Sequence, residues 1–312
     1  MMSFNFNTRH SVVSDRQMFE FTGDLYEELP YLQSANEEEL NRRLVGLVGN
    51  IVQFENDGHP RFVLSNDAFA IAFVELLREY RIRNLDSEAS LATFLMPFID
   101  MFSPENVERI RSALLPLKGR KCLFKFVQAR YSASLLAGEI RFQTAGFYND
   151  SALNPTIGDD ELAIEHRLKN LRITTKSGNV IPAIRDRIVA RASGDYFISS
   201  FTHLFKLQLF HMLDKDVCVA IPDGDAFAQD VEAAYRAIHP EDEFAFSQVE
   251  YIDRFRRLMG KAPIELRKSW DYSFQGEWRF ASWKLDGDPP TSQVRIVTVD
   301  PTRYGFFEIA QI

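Results

Sequence analysis

The stretch from Lys268 to Trp283 constrains this chain more than any other part of it. It reads KSWDYSFQGEWRFASW and contains all three tryptophans of the protein. Gln275, Glu277 and Arg279 occupy odd positions here, whereas four aromatic residues occupy even positions: Tyr272, Phe274, Trp278 and Phe280. Because successive side chains of a strand point to opposite faces, the pattern predicts a strand with one aromatic face and one polar face. The polar row indicates either the floor of a binding site or a solvated strand face with a Glu–Arg pair.

Length and composition limit the class of protein. The chain has 312 residues, of which 46% are hydrophobic and 27 are phenylalanine, so it can bury one large core or two ordinary ones. The formal net charge of −8 disfavours a general role in nucleic-acid binding. Two distant cysteines, Cys122 and Cys218, indicate neither a disulfide scaffold nor a cysteine-based zinc site.

The sequence also carries expectations about location and metals. The N-terminus has no apolar core of signal-peptide length, and no apolar run reaches the roughly 18 residues of a membrane span. We therefore expect a cytoplasmic protein with no membrane partner. The histidines show neither HxH nor HExxH spacing, so we expect no metal site.

The first third of the chain predicts helices. We expect residues 1–20 to form an irregular arm and residues 21–118 to form an all-helical domain. Ser34 and Glu37 have the spacing of a capping box, and the apolar residues behind them recur at helical spacing: Leu40, Leu44, Leu47, Val48 and Ile51. No chemistry is visible in this region, which favours a scaffold or a surface that binds a partner.

The character of the chain changes after a basic, glycine-containing joint at Lys118–Lys121. Residues 119–312 mix short strands with short helices and lack a strict βαβ rhythm, which predicts an α+β domain with a mixed or antiparallel sheet. A helical or irregular segment is expected over 182–192. Helices are expected over 131–137, 159–171, 203–213, 225–238 and 253–268. Strands are expected over 122–127, 140–144, 196–201, 217–221, 248–252 and 294–299.

Four stretches of this second part resemble, in order, a large group of uncharacterised bacterial and phage proteins. They cover about residues 121–283 and comprise Leu123–Phe126, Leu135–Asp150, Ser200–Thr202 and Lys268–Arg279. The chain departs from the group's NDPFE motif, because it reads NDSAL from Asn149. The group has no established activity to carry over, so the resemblance implies a shared fold.

The pair Gln275 and Glu277 also resembles the Gln-x-Glu motif of ADP-ribosyltransferases. That family has Arg or His on a first strand, Ser-x-Ser on a middle strand and Gln/Glu-x-Glu on a late strand. Here Lys125 takes the first position, and Ser200 with Thr202 takes the second. The resemblance implies an ADP-ribosyltransferase fold, NAD as the substrate, Glu277 as the catalytic carboxylate on the nicotinamide ribose, and Gln275 as the residue that positions the acceptor.

The chemistry of NAD cleavage suits these residue types. A cation on the first strand would hold the pyrophosphate, and a buried carboxylate would stabilise the oxocarbenium-like centre that forms as nicotinamide leaves. Lys125 cannot bind the pyrophosphate in a bidentate manner, so Arg130 or Arg141 would provide that contact. Aromatic rings would stack on nicotinamide, and Tyr272 and Arg279 complete the expected cofactor-binding residues.

Three functions stay open on the sequence. The first is an NAD-dependent ADP-ribosyltransferase-like enzyme with an unknown macromolecular acceptor, acting in toxin or phage-defence biology. The second is a non-catalytic ligand-binding or sensor module. The third is a metal-dependent nuclease built on Asp150, Glu277 and Lys268.

The tertiary positions of Lys125, Ser200 and Glu277 distinguish these functions. A shared cleft favours the enzyme. The alternatives are that Lys125 is exposed on an edge strand, and that Ser200 and Thr202 serve ordinary strand packing or turn bonding.

Overall fold

A computed structural model describes residues 26–27, 30–54, 60–62, 67–87, 89–92, 103–149, 160–167, 172–174, 178, 180–182, 187–255, 261–284 and 292–311. Within these ranges helices coexist with mainly antiparallel strands, which confirms the α+β class. No helix in them is long and apolar enough to cross a lipid bilayer.

Among the described residues, the α-helices include α1 Glu37–Ile51, α2 Asp67–Ile82, α3 Pro104–Leu114, α4 Ala129–Leu136, α5 Gln208–Met212 and α6 Gly224–Ile238. The strands are β1 Val52–Phe54, β2 Pro60–Phe62, β3 Leu123–Val127, β4 Glu139–Thr144, β5 Ala163–Arg167, β6 Arg172–Thr174, β7 Val180–Pro182, β8 Arg187–Arg191, β9 Phe197–Thr202, β10 Val217–Ile221, β11 Glu243–Gln248, β12 Glu250–Ile252, β13 Arg267–Ser269, β14 Glu277–Trp283, β15 Val294–Thr298 and β16 Phe307–Gln311.

The chain divides into two compact units. One comprises Met1–Pro104, His166–Ile188 and Asp253–Leu258, and the other comprises Glu105–Glu165, Val189–Ile252 and Met259–Ile312. The sequence-based boundary at residues 118 and 119 differs from this division, because two later segments join the first unit. A buried ion pair explains one of them, since Arg43 on α1 holds Asp253 at 2.7 Å between Nη2 and Oδ2.

Helix α1 begins at a capping box. The Asn36 side chain accepts a hydrogen bond from the Glu39 backbone at 2.9 Å, and the Glu39 carboxylate accepts one from the Asn36 backbone at 2.8 Å. The box predicted at Ser34 and Glu37 is therefore wrong by two residues, because asparagine caps as well as serine does. The predicted apolar stripe is confirmed, since all its members are buried: Leu40, Leu44, Leu47, Val48 and Ile51.

The expectation of an all-helical N-terminal region is wrong in one place. Strands β1 and β2 pair there as an antiparallel ribbon, with Val52 opposite Phe62. Strands of three residues are too short to give a readable alternation, which is why the sequence did not reveal them. The predicted arm at residues 1–20 lies outside the described residues, as do parts of the predicted helical region such as 55–59 and 93–102.

The second unit is organised around a sheet that forks along β9. Among the described residues the sheet has eight strands, with a main path β11-β14-β9-β3-β10-β16 and a branch in which β4 joins β9 to β15. On its forked edge, β9 pairs with β3 at Thr202 and Phe124, and with β4 at Ile198 and Gln143. Residues 199–201 of β9 therefore lie where the two branches separate.

Aromatic side chains fill the core between this sheet and α6. Phe280 of β14 is fully buried and stacks on Phe246 of β11, with ring centroids 4.3 Å apart. Phe201, Phe227 and Phe244 surround it, and rings of this size dominate core energetics. The aromatic face predicted for this strand is thus confirmed from residue 277 onward.

The predicted strand does not extend upstream of Glu277. Trp270–Gln275 form a 3-10 helix, and Gly276 follows in the left-handed region with φ 53°. Glycine adopts that conformation without a Cβ clash, and it turns the chain out of strand geometry. Tyr272 and Gln275 therefore do not take part in the strand alternation of Glu277 and Arg279.

Three predicted helical or irregular segments contain strands instead. The described parts of 159–171, 182–192 and 253–268 include β5, β8 and β13, respectively. Acidic residues before 163 resemble a helix start, but partner strands from elsewhere in the chain decide the structure of such short segments. The strands β11 and β16 have no counterpart in the sequence-based prediction.

Gly138 offers a test of this architecture, because it ends α4 in the left-handed region with φ 85°. A Cβ at this position would collide with the carbonyl oxygen of Val299. Gly119 has a similar φ of 83°, but a Cβ there would meet nothing within 4 Å. We expect Gly119→Ala to lower the free energy of unfolding by about 1–2 kcal/mol. Gly138→Ala should cost roughly 1–3 kcal/mol more in urea denaturation, since the collision adds to the backbone strain.

Candidate functional site

A cavity of about 450 Å³ lies at the fork of the sheet. Strands β3, β4 and β9 line it together with α4 and the first residue of β14. Its size falls within the range of small-molecule sites, which is roughly 300–1,000 Å³. All of its lining residues belong to the second compact unit.

Most of the residues predicted for the site line this one cavity. Lys125 of β3, Ser200 and Thr202 of β9, Gln275 and Glu277 all contribute to its wall. Their strands are neighbours, since β14, β9 and β3 are consecutive in the sheet. The fold therefore brings together the three positions that the sequence set apart.

Tyr272 and Arg279 are placed differently from the prediction. Neither is among the residues that line the cavity, and they are only 2% and 0% exposed. The Tyr272 ring lies 5.0 Å from the Lys268 ammonium, and Arg279 lies behind Glu277. Both therefore support the wall rather than face a ligand.

Glu277 is a buried but fully ionised carboxylate. It accepts hydrogen bonds on Oε1 from Ser200 Oγ at 2.5 Å and from Arg279 Nε at 2.7 Å. The Lys268 ammonium lies 3.3 Å from Oε2. Burial opposes its ionisation, but Arg279 and Lys268 outweigh that effect and lower the pKa of Glu277 to about 2. The carboxylate is thus held in one orientation and stays charged at neutral pH.

A second acid, Glu161, completes the network behind the cavity. It pairs with Arg279 Nη1 at 2.9 Å and with the Lys268 ammonium at 3.1 Å. Two acids and two bases thus neutralise one another in the interior. The sequence analysis placed Glu161 at the start of a predicted helix. The spacing of nearby residues cannot reveal ion-pair partners such as Arg279 and Lys268, which lie more than 100 residues away in the sequence.

Lys125 has surroundings of another kind. Its ammonium donates to Ser199 Oγ at 3.1 Å and to the Ser200 carbonyl at 2.8 Å, and it lies 4.2 Å from the centre of the Phe201 ring. The alternative of an exposed edge strand is wrong, since β3 lies between β9 and β10. Burial lowers the pKa of Lys125 to about 7, although Glu277 opposes the shift.

The lining of the cavity is more basic than acidic. Among the described residues, its cations are Lys125, Arg130, Arg141, Lys215 and Lys268, and its carboxylates are Glu139, Glu161 and Glu277. The chain as a whole has a net charge of −8, so this excess of cations is local. A concave surface with such a lining favours anionic ligands.

Aromatic residues at the cavity add flat apolar surface. Tyr131 and Phe147 are 40% and 44% exposed, although both are large and apolar. The guanidinium carbons of Arg130 and Arg141 lie 4.8 and 5.6 Å from the centre of the Tyr131 ring. This arrangement combines ring stacking with anion binding. The sequence named both arginines as possible grips but did not single out the two aromatic rings.

The remaining predicted residues have mixed roles. Thr202 Oγ1 accepts a hydrogen bond from the Leu204 backbone at 3.1 Å, which agrees with the turn-bonding alternative for this hydroxyl. Asp150, proposed for a nuclease, lies outside the described residues. Within the described part of the chain, no group of three or more His, Cys, Asp or Glu side chains is arranged to hold a metal ion.

The buried network yields a prediction about stability. Replacing Arg279 by methionine leaves Glu277 and Glu161 without their main counter-charge, so we expect a loss of about 3–5 kcal/mol in the free energy of unfolding. Arg111 forms a surface pair with Glu108 at 3.1 Å, and Arg111→Met should cost less than about 1 kcal/mol. Urea denaturation at pH 7 measures both variants. Equal losses would contradict a dominant role for the buried network.

No protein-family model, curated protein or solved structure matches this chain. The resemblances to the uncharacterised group and to ADP-ribosyltransferases therefore rest on the sequence motifs. The function is inferred from the contacts and charges around the cavity.

Proposed function

We propose that this protein binds a nucleotide of the NAD class at the fork of its sheet and cleaves it as an ADP-ribosyltransferase-like enzyme. One observation carries the proposal: Lys125, Ser200 and Glu277 line a single cavity from three neighbouring strands. These residues follow one another in the order of the transferase motif, so the geometry supports the resemblance at the point where the two can be compared.

Binding of a dinucleotide would use the basic side of the cavity. Arg130 and Arg141 offer guanidinium groups, which grip phosphate oxygens in a bidentate manner that lysine lacks. The exposed rings of Tyr131 and Phe147 offer faces for a base or for nicotinamide. A ligand that carries two flat rings joined by charged phosphates, as NAD does, could use both the arginines and the exposed aromatic side chains.

Cleavage would use the carboxylate of Glu277. As the bond between ribose and nicotinamide breaks, its electron pair leaves with nicotinamide and positive charge develops on the ribose. An ionised carboxylate that is already oriented stabilises that charge without reorganising. Ser200 and Arg279 fix the orientation of the Glu277 carboxylate. The side-chain amide of Gln275 can donate and accept hydrogen bonds, and it would position the molecule that receives the ADP-ribose. Transfer to a macromolecular acceptor would complete the reaction.

A second candidate is a ligand-binding or sensor module without catalysis. Its support is the same ion network, because Arg279 and Lys268 already neutralise much of the charge on Glu277. A carboxylate that is satisfied in this way can serve the fold alone. The two candidates share the ligand and differ in whether it is cleaved.

Glu277→Gln separates these candidates, since it keeps the shape of the side chain and removes its charge. If the enzyme proposal holds, NAD binding measured by calorimetry should change by only a few fold. The rate of nicotinamide release should fall roughly 10²–10³-fold, the size of effect seen when one charge-stabilising group is removed. Glu232→Gln, at a half-exposed position on α6, is the matched control and should leave both measurements unchanged.

The native protein provides the decisive outcomes. Binding without nicotinamide release, with candidate acceptors present, would favour the sensor over the enzyme. If the native protein does not bind NAD, both the enzyme proposal and the NAD-sensor proposal are wrong. A thermal melt of each variant shows whether a lost signal reflects the site or the fold.

A further inference from the structure

The half-buried Lys125 and the buried Lys268 both line the cavity, but they have different partners. Lys268 contacts the carboxylates of Glu161 and Glu277. Lys125 donates to a hydroxyl and to a backbone carbonyl, which are both neutral groups. Among the described residues no carboxylate forms an ion pair with Lys125. A lysine that is partly removed from water and has no counter-charge is more easily deprotonated than a solvated one, because desolvation disfavours its charged form.

The charged groups around Lys125 act in opposite directions. Burial is the main cause that lowers its pKa, to about 7, with Lys215 lowering it further and Glu277 of β14 raising it. A large fraction of Lys125 is therefore a free amine at neutral pH. The amine lies in the wall of a cavity that admits a ligand.

We propose that Lys125 is a nucleophilic amine, and that the cavity takes a phosphorylated small aldehyde with which Lys125 forms an imine. The position of Lys125 in the wall, its neutral partners and the basic lining around it carry this inference. Arg130 and Arg141 would hold the phosphate of such a ligand. The inference is independent of NAD cleavage, because it uses neither Glu277 as a catalyst nor a dinucleotide.

Formation of the imine from the Lys125 amine and the aldehyde releases one molecule of water and has no other product. The lone pair of the Lys125 nitrogen adds to the carbonyl carbon, and the carbonyl π electrons move onto oxygen, which takes up the proton that nitrogen releases. The hydroxyl group then takes up the second proton of the nitrogen and leaves as water, while the nitrogen lone pair forms the carbon–nitrogen double bond. Ser199 Oγ, 3.1 Å from the nitrogen, is positioned to relay the protons. No oxidant or reductant is needed.

Two other lysines serve as internal controls. Lys121 is exposed and pairs with Asp225 at 2.8 Å, and this partner raises its pKa. Lys206 is partly buried, and burial lowers its pKa to about 8, but it lies outside the lining of the cavity. Comparison with Lys121 tests the effect of deprotonation, and comparison with Lys206 tests the effect of the cavity.

The experiment labels the native, full-length protein with a small amount of pyridoxal 5′-phosphate, a phosphorylated aldehyde. Borohydride reduces any imine to a stable amine, and peptide mass spectrometry locates and counts the label. At pH 7.5 we expect Lys125 to be labelled at least tenfold faster than Lys121 or Lys206. Its rate should rise with pH and level off above about pH 8, when nearly all of it is free amine. A rate no higher than that of Lys121 would overturn the proposal.

A second comparison tests whether the phosphate is recognised. Pyridoxal, which lacks the phosphate, should label Lys125 several-fold more slowly than pyridoxal 5′-phosphate. Arg141→Gln should slow labelling by the phosphorylated aldehyde several-fold more than labelling by pyridoxal. Equal rates for the two aldehydes in the native protein would overturn the phosphorylated ligand class. Labelling that survives unfolding in urea with the same site preference would show that the fold does not activate Lys125, and would also overturn the proposal.

Discussion

The site depends on one buried guanidinium. Arg279 has no exposed surface and lies between the carboxylates of Glu277 and Glu161, while it also donates to the backbone carbonyl of Glu265 at 3.0 Å. It thereby ties β14 to the segment before β5 and to the 3-10 turn before β13. A planar group with five donors suits this task, since it satisfies several acceptors from one fixed position. Without it, two acids would be left in the interior with one lysine between them, and the wall of the cavity would lose its support.

The same cavity shows how surroundings decide what a charged side chain does. Lys268 and Lys125 are both lysines in one wall. Lys268 has two carboxylates and so serves as a structural cation, whereas Lys125 has only neutral partners and is close to losing its proton. Glu277 raises the pKa of Lys125 through its charge, but among the described residues it forms an ion pair with Lys268 and none with Lys125.

The sequence predicted what depends on local pattern. The apolar run of β10 has the predicted bounds, 217–221. The alternation of Trp278 and Phe280 against Glu277 and Arg279 also holds within β14. These features follow from the propensities and periodicity of a few adjacent residues.

What failed depends on distant parts of the chain. Glu161 was assigned to a helix start, although its carboxylate lies against Arg279 and Lys268, which no local spacing reveals. Strands β5, β8 and β13 occupy segments read as helical, because pairing with remote strands overrides weak local preference. The meeting of Lys125, Ser200 and Glu277 was an expectation that only a family motif could supply, since it requires the order of strands in the sheet.

Helix α4 connects the two branches of the fork, because it follows β3 and precedes β4 in the chain. With 8 residues it is about 12 Å long, and one side of it lines the cavity. One wall of the cavity is therefore formed by a short connection that is separate from the strand that carries Glu277. In such a design, an insertion or deletion of one helical turn would change the size of ligand admitted and leave the buried ion network in place.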